Sequence, residues 1–420
     1  MKNLPDDFLR STERLFGSER FGRFLAALDE EAPVSIRLNP KKGGLPQCLQ
    51  KSGDNENVNG DQVPWCEHGF YLDERPAFTF DPLLHAGCYY VQEAASMFIH
   101  HVLRHFVHQP VVMLDLCAAP GGKSTCARSA LPEGSLLVSN EPIRNRFSIL
   151  SENIQKWGYA DSYVTNVYPR DYRRSKLLFD VILTDVPCSG EGMFRKEPNA
   201  ISEWSTQNVE RCWRLQRDIV ADAWQCLRPG GLLIYSTCTF NTLENEENVR
   251  WMTEEFGAKV VEVPTLPDWG ITGSLLEDFH EPVYRFIPGL TRSEGLFVAV
   301  LRKQDGNEDE NQNENENKNV NRDKSFFRKL TALGATEAVY EPLSIGFDRT
   351  KYPCVELSFD QAIAYLRREA LVLPADTPRG QVVVMFRNHP LGFAKNIGTR
   401  ANNQYPQEWR IRTTHVPSDE

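Results

Sequence analysis

Between positions 111 and 301, short apolar runs alternate with longer stretches in which apolar residues recur every three or four positions. Turns rich in Gly, Pro and Asn separate them. The runs predict strands at 111–116, 135–140, 162–165, 179–184, 232–236, 259–263 and 296–301, and the longer stretches predict helices at 123–130, 143–156, 207–227 and 245–255. Strand alternating with helix is the signature of an α/β protein with a mostly parallel sheet. The last two strands have no evident helix between them, so one antiparallel strand is expected.

The flanking segments carry other patterns. Phe8, Leu9 and Phe16 share a helical face that recurs in Phe21, Phe24 and Leu25; Val34-Ser-Ile-Arg-Leu-Asn-Pro reads as a short strand, and a segment from Tyr89 leads into a helix toward Phe106. Residues 1–108 are therefore expected to form a small α+β accessory module, followed directly by a core domain at 109–303. The Asn- and acid-rich tract at 304–324 is too polar to bury and reads as a disordered linker. Residues 325–420 then form a third module, α+β or β-rich, with a strand-like Gln381-Val-Val-Val-Met-Phe and a helix at 359–370.

The first strand of the core runs into Leu116-Cys-Ala-Ala-Pro-Gly-Gly-Lys, and the chain resumes as a helix at Lys123. A strand, a glycine turn and a helix place a ligand loop at the carboxyl end of a sheet, with Gly121 and Gly122 allowing close backbone approach. A phosphate-binding loop would need a glycine where Cys117 stands, and the three spaced glycines of a dinucleotide site are also missing. Glu141 ends the second strand and Asp185 the fourth. An acid at the second position accepts both ribose hydroxyls of a nucleoside cofactor, so S-adenosylmethionine fits better than NAD or ATP, and the strand count suits a Rossmann-like methyltransferase core.

Composition adjusts this reading only slightly. A 420-residue chain with 41% hydrophobic and 25% charged residues suits a soluble protein of two or three domains. No apolar run is long enough to span a bilayer and the start lacks a signal-peptide core, so a cytoplasmic location is expected. The ten cysteines include no CxxC pair, so no metal site or disulfide framework is expected. A net charge of −10 argues against a nucleic-acid partner, but several of the acids lie in the 304–324 tract, while basic residues cluster at Arg170-Asp-Tyr-Arg-Arg-Ser-Lys and at Arg195-Lys196.

Two cysteines stand in short polar turns at strand ends, Cys188 in Asp185-Val-Pro-Cys-Ser-Gly and Cys238 in Ser236-Thr-Cys-Thr-Phe. A lone cysteine at such a place ordinarily packs. Two of them with a carboxylate, beside a methyl-donor loop, have a chemical use: carbon 5 of cytosine is a poor nucleophile until a thiolate adds to carbon 6 and turns the ring into an enamine.

The motifs Asp115-Leu-Cys-Ala-Ala-Pro-Gly-Gly-Lys, Asp185-Val-Pro-Cys-Ser-Gly-Glu-Gly-Met-Phe-Arg-Lys and Tyr235-Ser-Thr-Cys-Thr-Phe-Asn, in this order, closely resemble those of the Nop2/Sun family of RNA cytosine-5 methyltransferases, in particular the bacterial small-subunit rRNA type with a carboxy-terminal PUA-like RNA-binding module. The resemblance implies that Cys238 is the nucleophile, that Cys188 helps release the enzyme, and that Asp185 contacts the cytosine and lies near the donor. It implies that Cys117, Ala118, Ala119, Pro120, Gly121, Gly122 and Lys123 wrap the methionine part of S-adenosylmethionine, with Glu141 on the ribose and Asp115 supporting the loop. Relatives often carry an aspartate near the adenine after the third strand; Asn166 stands there in this chain. Pro288-Gly289 replaces a Pro-His pair often seen before the last strand. Arg195 and Lys196 are expected to contact RNA phosphate, and Tyr405, Trp409 and Arg410 to stack on or clamp RNA. Arg37 and Asn39 match a short motif of the family's amino-terminal module. RNA, most of all rRNA, is the implied partner, with no membrane, no metal and a monomeric state.

Other readings differ at identifiable places. A DNA cytosine-5 methyltransferase would use the Pro-Cys cysteine as nucleophile; Glu247-Asn248-Val249 mimics one of its motifs but falls in an expected helix, and the separate Thr-Cys motif points to RNA. An amino-methylating enzyme would carry Asp/Asn-Pro-Pro-Tyr/Phe where this chain has Asp185-Val-Pro-Cys. A tRNA cytosine-5 methyltransferase would share every motif. A non-catalytic assembly factor would lose the loop or the Thr-Cys cysteine, and both are intact.

Overall fold

The computed structural model describes residues 3–51, 54–58, 60–304 and 324–413; nearly all of the expected linker at 304–324 lies outside them. Five strands run parallel in the order Ser162–Thr165, Leu136–Asn140, Val112–Asp115, Phe179–Asp185 and Leu227–Thr237. Their residues alternate between two cores. Val112, Leu114 and Leu136 face Tyr172, Trp224 and Val249 on one side, while Met113, Leu137 and Val181 face Phe98, Val102 and Ala127 on the other. Burial on both faces is why these strands read as unbroken apolar runs.

The expectation of a single antiparallel strand is corrected. Leu296–Arg302 runs against Leu227–Thr237, and Thr336–Glu337 runs against Ser162–Thr165 at the opposite edge. Lys259–Val260 and Val283–Phe286 both pair with Leu296–Arg302 in antiparallel register. Val283–Phe286 was not anticipated because it spans only four residues with Pro282 before it, and Thr336–Glu337 because it is an exposed pair with no apolar pattern. The helices Gly122–Ala130, Arg144–Trp157, Thr206–Gln225 and Glu246–Phe256 lie close to their expected positions. Two short helices that begin at prolines, Pro169–Ser175 and Pro198–Glu203, add to them. No helix among the described residues is long and apolar enough to cross a membrane.

The flanking segments are packed onto this core. Helices Asp6–Phe16 and Ser18–Asp29 set Phe8 and Phe24 against Phe194 and Phe240, with ring centroids 5.0 and 5.1 Å apart. Helix Lys324–Ala332 packs Phe326 on Phe179, so the chain returns to the central sheet before it builds its last module. That module is a four-stranded sheet of Cys354–Glu356, Gly380–Phe386, His389–Asn396 and Ala401–Asn403, with helix Phe359–Leu366 across it. One hydrophobic cluster joins it to the amino-terminal sheet of Gly69–Leu72, Val34–Leu38 and Tyr89–Val91: Ile36, Leu72 and Tyr89 share it with Leu343, Tyr365 and Tyr405.

Where these bodies meet, glycine sets the closeness. Gly87 has φ +72°, and a Cβ added there would lie 1.8 Å from the Lys156 carbonyl oxygen on helix Arg144–Trp157. Gly257 has a similar φ of +62° but open space around it. Gly257→Ala should therefore cost about 1–2 kcal/mol from backbone strain alone, and Gly87→Ala clearly more. Urea unfolding of both variants checks the ranking, and equal losses would show that the approach of Gly87 to the helix is not a constraint.

Candidate active site

The ligand loop leaves the sheet at Asp115. Gly121 takes a left-handed φ of 113° and opens helix Gly122–Ala130, and a Cβ on Gly122 would come within 3.3 Å of the Tyr90 ring. Side chains from the next helix fix the loop's carbonyls: Arg146 Nη2 donates to Ala119 O at 2.9 Å and Asn153 Nδ2 to Pro120 O at 2.8 Å. The Ala118 amide donates to Asn140 O at 2.8 Å, holding the loop to the second strand. Asp115 is fully buried and accepts from Ser124 Oγ at 2.6 Å, with its other oxygen unpartnered. Burial pushes its carboxyl up to about 7, against the opposing effect of the Ser124 bond. It ties the strand end to the helix start beneath the loop.

Glu141 is buried at the end of Leu136–Asn140. Its Oε1 accepts from the Ile143 amide at 2.8 Å, and Arg146 Nη1 lies 3.3 Å from Oε2. Asn166 is exposed just past Ser162–Thr165 and donates through Nδ2 to Glu141 O at 2.6 Å. The structure thus places Asn166 beside Glu141, as a brace of that turn.

The two sulfurs meet. Parallel register pairs Asp185 with Ser236, so the turns that follow leave adjacent strands side by side. Cys188 Sγ and Cys238 Sγ lie 3.1 Å apart, both half-buried. Asp185 sits at the same edge, its Oδ1 accepting from Ser236 Oγ at 2.8 Å and its Oδ2 from Lys123 Nζ at 2.9 Å. Burial works against the Lys123 charge, but attraction to Asp185 and the hydrogen bond between them outweigh it and raise its pKa. The hydrogen bond with Cys238, followed by burial, pushes the Cys188 thiol well up, so Cys188 holds its proton. Burial likewise pushes up the Cys117 thiol.

Residues that sequence reasoning missed hold the two turns together. Glu191 follows Cys188, yet its Oε2 accepts from the amides of Phe240 and Asn241, at 2.7 and 3.0 Å, in the turn of Cys238. Glu244 follows Cys238, yet its Oε2 accepts from the amide of Ser189 at 3.0 Å and from Gln216 Nε2 at 2.7 Å. Asn241 Nδ2 donates to both acids, at 3.1 and 2.8 Å, and the Ser189 and Thr239 hydroxyls lie 2.9 Å apart. Beneath this, the buried Arg285 donates to Phe240 O at 2.7 Å and is paired with the buried Glu246. The available signal was the density of acids and amides right after each motif, Ser189-Gly-Glu and Asn241-Thr-Leu-Glu-Asn-Glu.

The expected RNA contacts fare differently. Tyr405 is fully buried and Trp409 nearly so, their ring centroids 5.9 Å apart within the shared carboxy-terminal core, so neither offers a face for a base. Small modules spend their aromatic residues on packing, and these two follow that rule. Arg195 is also committed: its side chain is 4% exposed, faces Glu294 at 3.4 Å and donates to the carbonyls of Glu30 and Glu31 at 3.1 and 2.6 Å, clamping the end of helix Ser18–Asp29. Lys196 and Arg410 are exposed. Arg37 and Asn39 are buried, Arg37 bonding Gln92 and Thr125, and Asn39 bonding the carbonyls of Gly87 and Trp157; both dock the amino-terminal sheet on the core.

A parallel sheet with a glycine-turn ligand loop, acids at successive strand ends and one reversed strand beside the last parallel one defines a Rossmann-like methyltransferase fold. Residues 106–302 match the model of the family described as 16S rRNA methyltransferase RsmB/F; residues 4–94 match the N-terminal domain of 16S rRNA methyltransferase RsmF, and residues 352–411 match the methyltransferase RsmF PUA domain. A ribosomal RNA small subunit methyltransferase F of Pectobacterium atrosepticum is 34% identical over 307 residues, 72% of this chain and 63% of that protein, so the aligned chain spans just under two thirds of that relative. A protein of the same description from Escherichia coli is 29% identical over 96% of both chains. Among solved structures, a methyltransferase homolog from Pyrococcus horikoshii superposes with a TM-score of 0.57 at 25% identity, over 71% of this chain and 100% of that one. NSun6 from Pyrococcus horikoshii, determined with SFG, gives 0.59 at 21% identity, over 72% and 99%.

The buried Asp115 has a stability consequence with a definite sign. Its folded pKa of about 7 lies above the ordinary 3.8, so between those values the folded chain holds a proton that the unfolded chain has released, and stability falls as pH rises through that window. Asp115→Asn, which keeps an acceptor for Ser124, should gain on the wild type as pH rises from about 4.5 to 7. Urea midpoints of the two proteins at both pH values test this; a constant difference would place the Asp115 titration elsewhere.

Proposed function

We propose that this chain transfers a methyl group from S-adenosylmethionine to carbon 5 of a cytosine in small-subunit ribosomal RNA, through a covalent bond between Cys238 and carbon 6. The observation that carries the reading is the pair of sulfurs 3.1 Å apart beside the Asp185–Lys123 pair, at the mouth of the ligand loop. The family match supports methyl transfer to rRNA, and the paired thiols support carbon 5 of cytosine within it.

The residues present fit the cofactor. The loop from Cys117 to Lys123 offers backbone at two glycines and no phosphate cradle, and Glu141 closes the second strand with a carboxylate suited to ribose hydroxyls. When bound there, S-adenosylmethionine supplies an electrophilic methyl group on a sulfonium. Asn166, bonded to Glu141 O, is the residue that would meet the adenine.

The chain's own residues supply the rest. A cytosine is taken out of its stack into the site, at lower cost from a loop than from a duplex. Asp185, about one-third exposed and steadied by Ser236 and Lys123, keeps lone pairs to orient the ring. Cys188, whose thiol holds its proton, lies 3.1 Å from Cys238, and Cys238 is the sulfur that adds to carbon 6 as a thiolate. Addition moves electron density to carbon 5, which takes up the methyl group. Loss of the carbon 5 proton to a base then restores the 5,6 double bond and expels the Cys238 thiolate, a step that Cys188 assists from its place beside the leaving sulfur.

Two variants separate these roles. With a labelled methyl donor and small-subunit rRNA, Cys238→Ala should abolish incorporation, by more than about a thousandfold given the weight of covalent catalysis in such a reaction. Cys188→Ala should instead accumulate a protein–RNA adduct that survives denaturing electrophoresis. A freely dissociating Cys188→Ala complex would overturn the two-thiol scheme. Transfer to tRNA and not to rRNA would keep the chemistry and change the substrate, and no transfer to any RNA would leave a binding or assembly role.

A further inference from the structure

The thiol pair is held by an exchange of acids between two turns. Each cysteine is followed by a glutamate, at a distance of three residues for Cys188 and six for Cys238, and each glutamate bonds the backbone of the other cysteine's turn. Both acids are almost wholly buried, Glu191 at 2% and Glu244 at 0% exposure. Every hydrogen bond assigned to their side chains comes from a donor: two backbone amides, the Trp204 indole and the Asn241 amide for Glu191, and one backbone amide, the Gln216 amide and the Asn241 amide for Glu244. A carboxyl proton would need an acceptor, and these partners offer none.

Such an arrangement costs desolvation that simple packing would avoid. Neutral side chains could fill the same space. The charge of Glu244 does something packing does not: it is one of the causes, after the Cys238 hydrogen bond and burial, that oppose ionisation of the Cys188 thiol. The same bonds fix the separation of the sulfurs, because the turns can neither slide nor part without stripping a buried carboxylate of its donors.

We propose that Glu191 and Glu244 are positioning residues for the Cys188–Cys238 pair, crossing between the two turns to fix the distance between the sulfurs. They work through the turns that carry the thiols. Burial raises the pKa of Glu244, and its charge is one of the causes that raise Cys188. This builds on the cysteine roles proposed above, but it can be tested apart from them.

The test uses the full chain without RNA or methyl donor, so its result does not depend on whether the chain methylates cytosine. Alkylation of Cys188 by iodoacetamide, read by peptide mass across a pH series, should shift to lower pH by about half a unit or more in Glu244→Gln. Asn241→Ala leaves both acids in place and removes the side chain that bridges them. It should slow diamide closure of a Cys188–Cys238 disulfide by about fivefold or more, since closure reads the approach of the sulfurs. A purely structural role would lower the melting temperature of the variants and leave the pH series and the closure rate unchanged, and that outcome overturns the proposal. If a Gln variant does not fold, the closure rate of Asn241→Ala decides alone, with a wild-type rate counting against it.

Discussion

Everything at the reactive end of this molecule depends on holding two thiols within 3.1 Å of each other on turns that leave adjacent parallel strands. Parallel strands solve part of the problem, because their carboxyl ends emerge on one edge in register and Ser236 stands opposite Asp185. They do not solve all of it. Turns beyond a strand end lose the ladder's hydrogen bonds, and each exposed amide must find another partner or remain loose. In this chain the partners are the carboxylates of Glu191 and Glu244, supplied by each turn to the other.

That need explains why the amino-terminal helices are where they are. Phe8 and Phe24 cover Phe194 and Phe240, which lie just past the two thiol turns, and Arg195 reaches back to the end of the second helix. Aromatic rings packed this way exclude water from the buried carboxylates, which strengthens each hydrogen bond to them. The helices are thus less a separate module than the outer wall of the reactive turns. The segments at 34–38 and 89–91 serve the ligand side, with Tyr90 against Gly122 and Arg37 bonded to Thr125 of the helix that the loop opens.

The strands of the core and the two cysteines were legible in the sequence because each leaves a local mark: a buried parallel strand is an apolar run, and a cysteine between Pro and Ser, or between two Thr, sits in a turn. The acids were not legible as partners, since Glu191 and Glu244 act across about fifty residues of chain that no local pattern spans. The reversed strand at Thr336–Glu337 was hidden for the opposite reason, being too short and too exposed to leave a pattern. Tyr405, Trp409 and Arg195 were misread because residue type is a poor guide to exposure. An aromatic side chain in a small module, or an arginine in a basic pair, is as useful for packing as for binding, and only the folded chain shows that these three are already committed.

The carboxy-terminal module raises the same issue at a larger scale. Among the described residues its sheet is not joined to the core by strand pairing; it is held by a hydrophobic cluster shared with the amino-terminal sheet and by the close approach of Gly158 to the Leu343 carbonyl, where an added Cβ would lie 2.1 Å away. A module tied to the rest only by its chain connection could swing freely and would sample many positions. One that buries Leu343, Tyr365 and Tyr405 against Ile36 and Tyr89 cannot, because separation would expose that apolar surface at about 25 cal/mol per Å². The module therefore presents its exposed face, including Arg410, at a set position relative to the ligand loop. Under the proposed function, such rigidity would let contacts made far from the thiols decide which base reaches them, since binding energy at a distance is useful for selection only when the connection between the two places is stiff.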